Sequence, residues 1–213
     1  MKIAPGSNLV MIGDSITDCG RAQPVGEGGG LGQGYVAYID ALLSAALPAH
    51  RIRILNVGTS GNTARDLKAR WQRDVLDLEP DWLSVMIGIN DVWRQFDCPR
   101  QPETHVPLDE YRKTLDELLK ATRPHLKGLV LMTPYYIEPN RKDAMRAQMD
   151  RYGAAVKELA GKHKAIVVDT QAAFDALLAA YYPATIASDR IHPSPIGHMA
   201  LARAFLKTVG FEW

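Results

Sequence analysis

Cysteine is scarce in this sequence, which has two, Cys19 and Cys98, among 213 residues. The two lack the paired spacing of a metal-ligand motif, and one pair in a chain of this size predicts reduced thiols rather than a disulfide framework. We interpret Cys19 as a packing residue. Because 46% of the residues are hydrophobic, the chain is long and apolar enough to bury a core without crosslinks. We predict no metal ion and no cofactor.

The chain also lacks an excess of charge of either sign. It has 25 basic and 24 acidic residues, for a net charge of +1, so it has no general field that would attract nucleic acid or an anionic membrane. No apolar run approaches the length of about 20 residues that a membrane-spanning helix needs. Residues 1–14 lack the longer apolar region and the cleavage site of a signal peptide. We predict a cytoplasmic location and no nucleic-acid or membrane partner.

Short apolar runs, rich in Val, Ile, Leu and Met, recur along the chain and have the near-continuous hydrophobicity of central parallel strands. They occupy residues 8–14, 52–58, 82–88, 128–134 and 165–170. Segments with helical spacing lie between and after them, at 63–78, 108–123, 143–160, 170–182 and 194–209. This alternation predicts a three-layer α/β/α sandwich, formed by one domain over residues 1–213.

A glycine-rich stretch at residues 24–34 contains spacings that imitate a dinucleotide-binding fingerprint. It follows a predicted helical turn rather than a strand, and without the strand the phosphate-binding geometry is lost. We therefore interpret the stretch as a mobile loop.

Polar groups and glycines gather where three of the predicted strands end: at Gly13-Asp14-Ser15, at residues 56–62 and at residues 88–91. In open parallel sheets, ligands bind at the carboxyl ends of the strands. Ser15 has two interpretations at this edge. With Asp18 it has the spacing of a helix capping box, and it is also placed to attack a substrate.

A nucleophilic serine needs a base, a group that orients the base, and donors for the developing oxyanion. His192 follows Asp189 by three residues and is followed by prolines that interrupt a helix. Asp189 can accept a hydrogen bond from one imidazole nitrogen while the other takes the proton of Ser15. We interpret His198, within the next helical segment, as a packing residue, and the other four histidines as surface residues.

Three groups are candidate oxyanion donors: the backbone N–H of Ser15 at a helix start, the backbone N–H of Gly61, and the side-chain amide of Asn90. An alternative for Asn90 and Asp91 is an ordinary turn whose side chains bond the local backbone.

Trp93 and Arg94 follow Asn90 on what we interpret as the same loop, where an indole face and a guanidinium could meet a sugar ring. Asp14, and Tyr135 after the fourth strand, are further candidates for substrate contact. The alternative for Trp93 and Tyr135 is packing within the protein.

Four blocks, in order, resemble the SGNH subgroup of the GDSL esterase and lipase family: residues 13–16, Gly61 within 56–62, residues 88–91, and residues 189–192. The resemblance implies a flavodoxin-like sheet with five parallel strands in the order 2-1-3-4-5. It also implies the nucleophile Ser15, the base His192 and the orienting acid Asp189. The implied oxyanion hole contains the N–H groups of Ser15 and Gly61 and the side chain of Asn90.

The segments between the blocks look like those of intracellular bacterial acetylxylan esterases of this family. They include DCGRAQPVGEG, DLKARWQRDV, MIGINDVWRQ, LMTPYYIEPN and ARAFLKTVGFEW. The resemblance implies removal of acetyl groups from short acetylated xylo-oligosaccharides. Apolar residues at Phe211, Trp213, Tyr181 and Tyr182 suggest surface buried between subunits, and we predict a homo-oligomer.

Three alternatives stay open. The chain could hydrolyse another small ester, a lipid or a thioester, because a triad does not specify the released alcohol. A flavodoxin-like module could instead bind a phosphate or flavin at the first strand-to-helix turn. A metal-dependent hydrolase using Asp189 and His192 lacks an obvious third ligand nearby.

Overall fold

Six strands form one sheet in the order β2-β3-β1-β4-β5-β6 in the computed structural model, which describes residues 1–212. The strands are β1 Asn8–Gly13, β2 Gly26–Glu27, β3 Arg53–Asn56, β4 Trp82–Met86, β5 Gly128–Met132 and β6 Ile166–Val168. All neighbours pair in parallel except β2, which runs antiparallel to β3. The predicted order of the five parallel strands is confirmed, and β2 adds a sixth strand at one edge.

Strand β2 lies within the glycine-rich stretch, which corrects the prediction that these residues form a loop without regular structure. Gly26 pairs with Asn56 on β3, and the Asn56 side chain donates to the carbonyl oxygen of Leu31 at 2.9 Å. A side chain at Gly26 would place its Cβ 2.5 Å from the Gly30 carbonyl oxygen. The glycines therefore allow the chain to fold tightly against the sheet edge, where the buried Asn56 amide fixes it.

Helices cover both faces of the sheet, which confirms the predicted α/β/α layers. They are α1 Ser15–Asp18, α2 Tyr35–Ala46, α3 Ala64–Asp74, α4 Ile89–Asp97, α5 Leu108–Thr122, α6 Ala144–His163, α7 Thr170–Leu178, α8 Pro183–Ile186 and α9 Pro195–Thr208. Helix α5 packs against α3 and α6, and α4 also packs against α6, whereas α9 packs against α2 and α7. The central strands are consequently buried on both sides, with Leu9, Val10 and Met11 fully inaccessible.

Three helices differ from the sequence predictions. Helices α2 and α8 were not predicted, and α4 replaces the expected loop after β4. Gly88 has φ +131°, a conformation open to glycine, and the chain enters the helix at the next residue. Asn90, Trp93 and Arg94 therefore lie on a helix, which corrects their predicted placement on a loop.

Within residues 1–212, no helix combines the length and the apolar run that crossing a bilayer requires.

Candidate active site

The first strand passes into α1 through Asp14, which caps the helix. Its carboxylate accepts a hydrogen bond from the Ile16 N–H at 3.0 Å. This corrects the predicted capping box of Ser15 and Asp18: because Asp14 occupies the cap, Ser15 is the first helical residue and its hydroxyl is free to bond elsewhere. Asp18 instead accepts from the N–H and the hydroxyl of Ser60, at 3.0 and 2.8 Å.

Gly13 makes this abrupt corner possible. A Cβ at that position would lie 2.3 Å from Thr17 Oγ1 and 2.4 Å from the Met86 carbonyl oxygen. Only glycine lets the first turn of α1 fold back so closely over the strand ends. The corner places Ser15 at the carboxyl edge of the sheet, where ligands bind in open parallel sheets.

An unbroken chain of hydrogen bonds joins the three predicted triad residues. Ser15 Oγ lies 2.9 Å from His192 Nε2, and His192 Nδ1 lies 2.6 Å from Asp189 Oδ2. Because Asp189 accepts the Nδ1 proton, Nε2 is left unprotonated in the neutral imidazole and can take the proton of the Ser15 hydroxyl.

The turn at residues 189–192 orients the imidazole, and we call it the catalytic turn. Asp189 Oδ1 accepts from the backbone N–H groups of Ile191 and His192 at 2.9 and 2.8 Å. Partial burial alone would raise the pKa of Asp189, but the hydrogen bonds from His192 and Ile191 outweigh it and hold that pKa below its usual value. The carboxylate therefore stays ionised and can stabilise an imidazolium.

The predicted oxyanion donors come from three elements that contact one another. The Ser15 N–H is the first of α1 and has no acceptor within that helix. Gly61 has φ +81°, and a Cβ there would meet nothing within 4 Å, so no other residue fills the space on the side-chain side of this turn. The buried Asn90 side chain donates one amide proton to the Asn62 carbonyl oxygen at 2.9 Å. This bond and the Asp18 contact to Ser60 hold the turn at 59–62 between α1 and α4.

Asp91, next to Asn90, ties α4 to the start of α3. Its Oδ1 accepts from the Ala64 N–H at 2.9 Å, and burial raises its pKa to about 7. Burial likewise raises the pKa of Asp14 to about 7, against the opposing effect of the Ile16 hydrogen bond and the His192 charge. Both acids are enclosed in the protein beneath the site.

Replacing Asp14 by asparagine is expected to change how stability depends on pH. The folded protein keeps the Asp14 proton up to a pKa of about 7, whereas the unfolded chain releases it near pH 4. The free energy of unfolding therefore falls as the pH rises through this window, and the asparagine removes that fall while still capping the helix. In denaturant unfolding, the free energy of unfolding of Asp14→Asn minus that of wild type should increase from pH 5 to pH 8. A difference independent of pH would contradict the buried, titrating carboxyl.

The structure corrects the prediction for two of the candidate substrate-contact residues, because both side chains are buried. Asp14 and Tyr135 are each 1% exposed. Asp14 is occupied as the cap of α1, and the Tyr135 hydroxyl donates to the Ile191 carbonyl oxygen at 3.1 Å. Neither side chain has a surface that a sugar could touch, because packing beneath the catalytic turn encloses both.

Trp93 and Arg94, the other two candidate substrate-contact residues, lie next to the triad. The Trp93 ring meets His192 edge-on, with 6.1 Å between ring centroids, and the Arg94 guanidinium lies 4.7 Å from the Trp93 ring centroid. Arg94 also pairs with Asp97 on the same helix. Both side chains are partly exposed.

His198 has a polar role that its helical spacing did not reveal. Its Nδ1 accepts from the Tyr35 N–H at 3.2 Å, and its Nε2 lies 3.5 Å from Cys19 Sγ. Burial, with a contribution from the His192 charge, lowers the pKa of His198 to about 4. His198 is therefore neutral. It links α9 to α2 through Tyr35 and to the end of α1 through Cys19.

The Asp18 contact to Ser60 was also missed, because the two residues are 42 positions apart and no local pattern joins them. Among residues 1–212, no three His, Cys, Asp or Glu side chains gather closely enough to hold a metal ion.

Comparison with known proteins identifies the family. The model of the GDSL-like Lipase/Acylhydrolase family matches residues 11–200. An acetylxylan esterase of Geobacillus stearothermophilus is 59% identical over 215 residues, which span 100% of this chain and 98% of the relative.

Solved structures agree over the same length. Structures of Axe2, an acetylxylan esterase from Geobacillus stearothermophilus, include catalytic mutants in a serine, a histidine and an aspartate. Each matches 100% of this chain and 98% of its own with a TM-score of 0.99 at 59% identity. LAE5, an alpha/beta hydrolase enzyme from the metagenome of Lake Arreo, Spain, is 54% identical with a TM-score of 0.97, covering 99% of this chain and 98% of its own. The chain belongs to the GDSL-like lipase/acylhydrolase family.

Proposed function

We propose that this protein is a serine esterase that removes acetyl groups from acetylated xylo-oligosaccharides. The observation that carries the proposal is the continuous hydrogen-bond chain from Ser15 through His192 to Asp189 at the carboxyl edge of the sheet. The full-length identity of 59% to an acetylxylan esterase supports the choice of substrate.

In the first half of the reaction, Ser15 Oγ attacks the acetyl carbonyl carbon while its proton moves to His192 Nε2. The carbonyl electrons collect on oxygen, where the N–H groups of Ser15 and Gly61 and the Asn90 amide donate hydrogen bonds. Asp189 stabilises the imidazolium through Nδ1. When the tetrahedral intermediate collapses, the C–O bond to the sugar breaks, and His192 returns its proton to the departing sugar oxygen.

In the second half, water attacks the acetyl group on Ser15. His192 accepts a proton from the water, the same donors stabilise the second oxyanion, and the bond to Ser15 Oγ breaks with return of the proton. The products are acetate and the free enzyme. Every proton transfer passes through His192 Nε2, so no cofactor is needed.

Trp93 and Arg94 are proposed to contact the sugar. The sugar oxygen must lie near His192 Nε2 to receive its proton, and the Trp93 ring lies beside that imidazole. An indole offers a flat apolar face to a sugar ring, while the guanidinium above it offers hydrogen-bond donors to hydroxyls.

Replacing Trp93 by Ala is expected to lower kcat/KM for acetylated xylobiose by a factor that corresponds to roughly 1 to 2 kcal/mol of lost stacking. An aryl acetate should suffer less, because it lacks the sugar. Trp93→Phe, which keeps an aromatic face, should retain part of the preference for the sugar ester. Steady-state kinetics on both substrates, with folded protein verified by thermal unfolding, makes the comparison. Equal losses on the two substrates would contradict a sugar contact.

The substrate class is tested directly by following acetylated xylo-oligosaccharides by NMR as acetyl groups are released. We expect acetate and deacetylated xylose units, with acetyl esters turned over faster than butyryl or octanoyl esters. Faster hydrolysis of octanoyl esters would favour a lipid or general esterase. Failure of a fluorophosphonate to label Ser15 would favour a non-catalytic binding module.

We also propose that residues 1–213 act as one catalytic domain in the cytoplasm, on imported oligosaccharides.

A homo-oligomer is proposed because Tyr181 and Tyr182 expose 45% and 73% of their surface. Phe211 is buried within its own domain, which weakens its part in that proposal, and Trp213 lies outside the described residues. Light scattering at micromolar concentration should give a mass above that of one chain, and a monomer would refute association.

A further inference from the structure

The segment that follows β5 contacts the catalytic turn at three points, and we call residues 135–138 the clamp segment. The Tyr135 hydroxyl donates to the Ile191 carbonyl oxygen at 3.1 Å. The Ile137 N–H donates to the Arg190 carbonyl oxygen at 3.0 Å. The Glu138 carboxylate forms an ion pair with the Arg190 guanidinium. The clamp segment thus holds both residues that lie between Asp189 and His192.

The catalytic turn needs such support because of its backbone conformation. Arg190 has φ +63°, in the left-handed region that is unfavourable for residues with a Cβ. This conformation bends the chain so that both following N–H groups reach Asp189 Oδ1. A strained conformation persists only where surrounding contacts stabilise it. The contacts of Arg190 to the clamp segment supply that stabilisation.

Glu138 also forms hydrogen bonds with residues other than Arg190. It is 8% exposed, and its other carboxylate oxygen accepts from the Asn140 N–H at 2.8 Å. Its carbonyl oxygen accepts from Arg146 Nη1 at 2.6 Å. Arg146, which is 2% exposed, pairs with Asp150 and Asp175, each at 2.9 Å. Glu138 is therefore anchored to α6 and α7 rather than resting on a mobile loop.

We propose that Glu138 is a positioning residue for catalysis, acting through Arg190. Anchored by Arg146, it keeps Arg190 in the left-handed conformation and so keeps His192 Nε2 within reach of Ser15 Oγ. Glu138 does not touch the substrate. The inference rests on ester hydrolysis by the triad, which is part of the proposed function, but not on the identity of the sugar.

Loss of the Glu138 charge releases one side of Arg190, so the turn spends less time in the reactive geometry. Acylation and deacylation both pass through His192, so kcat falls, while KM for a small substrate changes little. The rate at which a fluorophosphonate labels Ser15 falls by the same factor. A purely structural role would instead lower the unfolding temperature and leave both rates unchanged well below it.

The experiment compares wild type with Glu138→Gln, Arg190→Gly and the double variant, using an aryl acetate and fluorophosphonate labelling. Glutamine keeps the size of the side chain, and glycine keeps the φ +63° conformation accessible while removing the guanidinium. We expect each single variant to lower kcat and the labelling rate by about 10-fold, and the double variant to lose little more, because both residues act through one contact.

Asp116→Asn is the matched control. Asp116 forms partly exposed ion pairs with Lys162 and His163 at the end of α6. This helix end precedes the start of β6, so it lies at the amino ends of the strands, opposite the site. The Asp116→Asn variant should lose ion pairs made by a more exposed carboxylate and keep wild-type kcat.

Wild-type kcat and labelling in Glu138→Gln would overturn the proposal, as would a rise in KM alone or fully additive losses in the double variant. An equal loss in Asp116→Asn would assign the effect to general destabilisation and also overturn it. If Glu138→Gln does not fold, Arg190→Gly decides the question alone: wild-type rates in it refute the clamp. An enzyme that ignores xylo-oligosaccharides but hydrolyses aryl acetates would refute the proposed sugar substrate and leave the test of Glu138 intact.

Discussion

Replacing Ser15 by alanine is expected to lower kcat for an aryl acetate by roughly four to six orders of magnitude. The Ser15 hydroxyl lies 2.9 Å from Nε2 of His192. Without this hydroxyl no acyl-enzyme can form. Residual activity should come from direct attack of water, assisted by the oxyanion donors.

His192→Ala should cause a similar loss, because it removes the base that accepts the Ser15 proton. The double variant should be scarcely slower than either single one, since the two residues act as one unit. Steady-state kinetics of the three proteins tests this, with His125→Ala, an exposed histidine outside the site, as the control that should retain full activity. Strictly additive losses would count against the triad.

Replacing Asn90 by alanine is expected to lower kcat by about 10² to 10³, or about 3 to 4 kcal/mol, with KM little changed. One amide proton of Asn90 is used by the Asn62 carbonyl oxygen, which orients the side chain. The second proton is then available to the oxyanion, whose charge develops in the transition state rather than in the bound ester. Loss of this donor should therefore appear in kcat.

Asn90→Asp provides the matched comparison, because it keeps the size of the side chain but replaces a donor by a negatively charged acceptor. It should be at least as slow as Asn90→Ala, since its charge would repel the oxyanion. Kinetics on an aryl acetate, together with unfolding midpoints for all three proteins, separates catalysis from stability. A loss confined to KM, or an Asp variant faster than the Ala variant, would refute the oxyanion role.

The strands and most helices could be predicted from the sequence because they depend on periodicities that repeat over a few residues. The five parallel strands follow from short apolar runs, and their order follows from the family resemblance. The start of α4 could not be predicted in this way. Asn90 and Asp91 are typical of turns, yet tertiary contacts to Asn62 and Ala64 stabilise them in the first turn of a helix.

The sequence by itself determined the α/β/α fold class, the family and the positions of Ser15, Gly61, Asn90, Asp189 and His192 as candidates, because these residues fall in local patterns at strand ends. The tertiary structure alone decided which side chains reach the site. Asp14 and Tyr135 are buried beneath it, while Asp18 and Glu138 act on residues more than 40 positions away. Such roles depend on which strand ends and loops meet in space, and hydrogen bonds between distant segments leave no periodic pattern in the sequence.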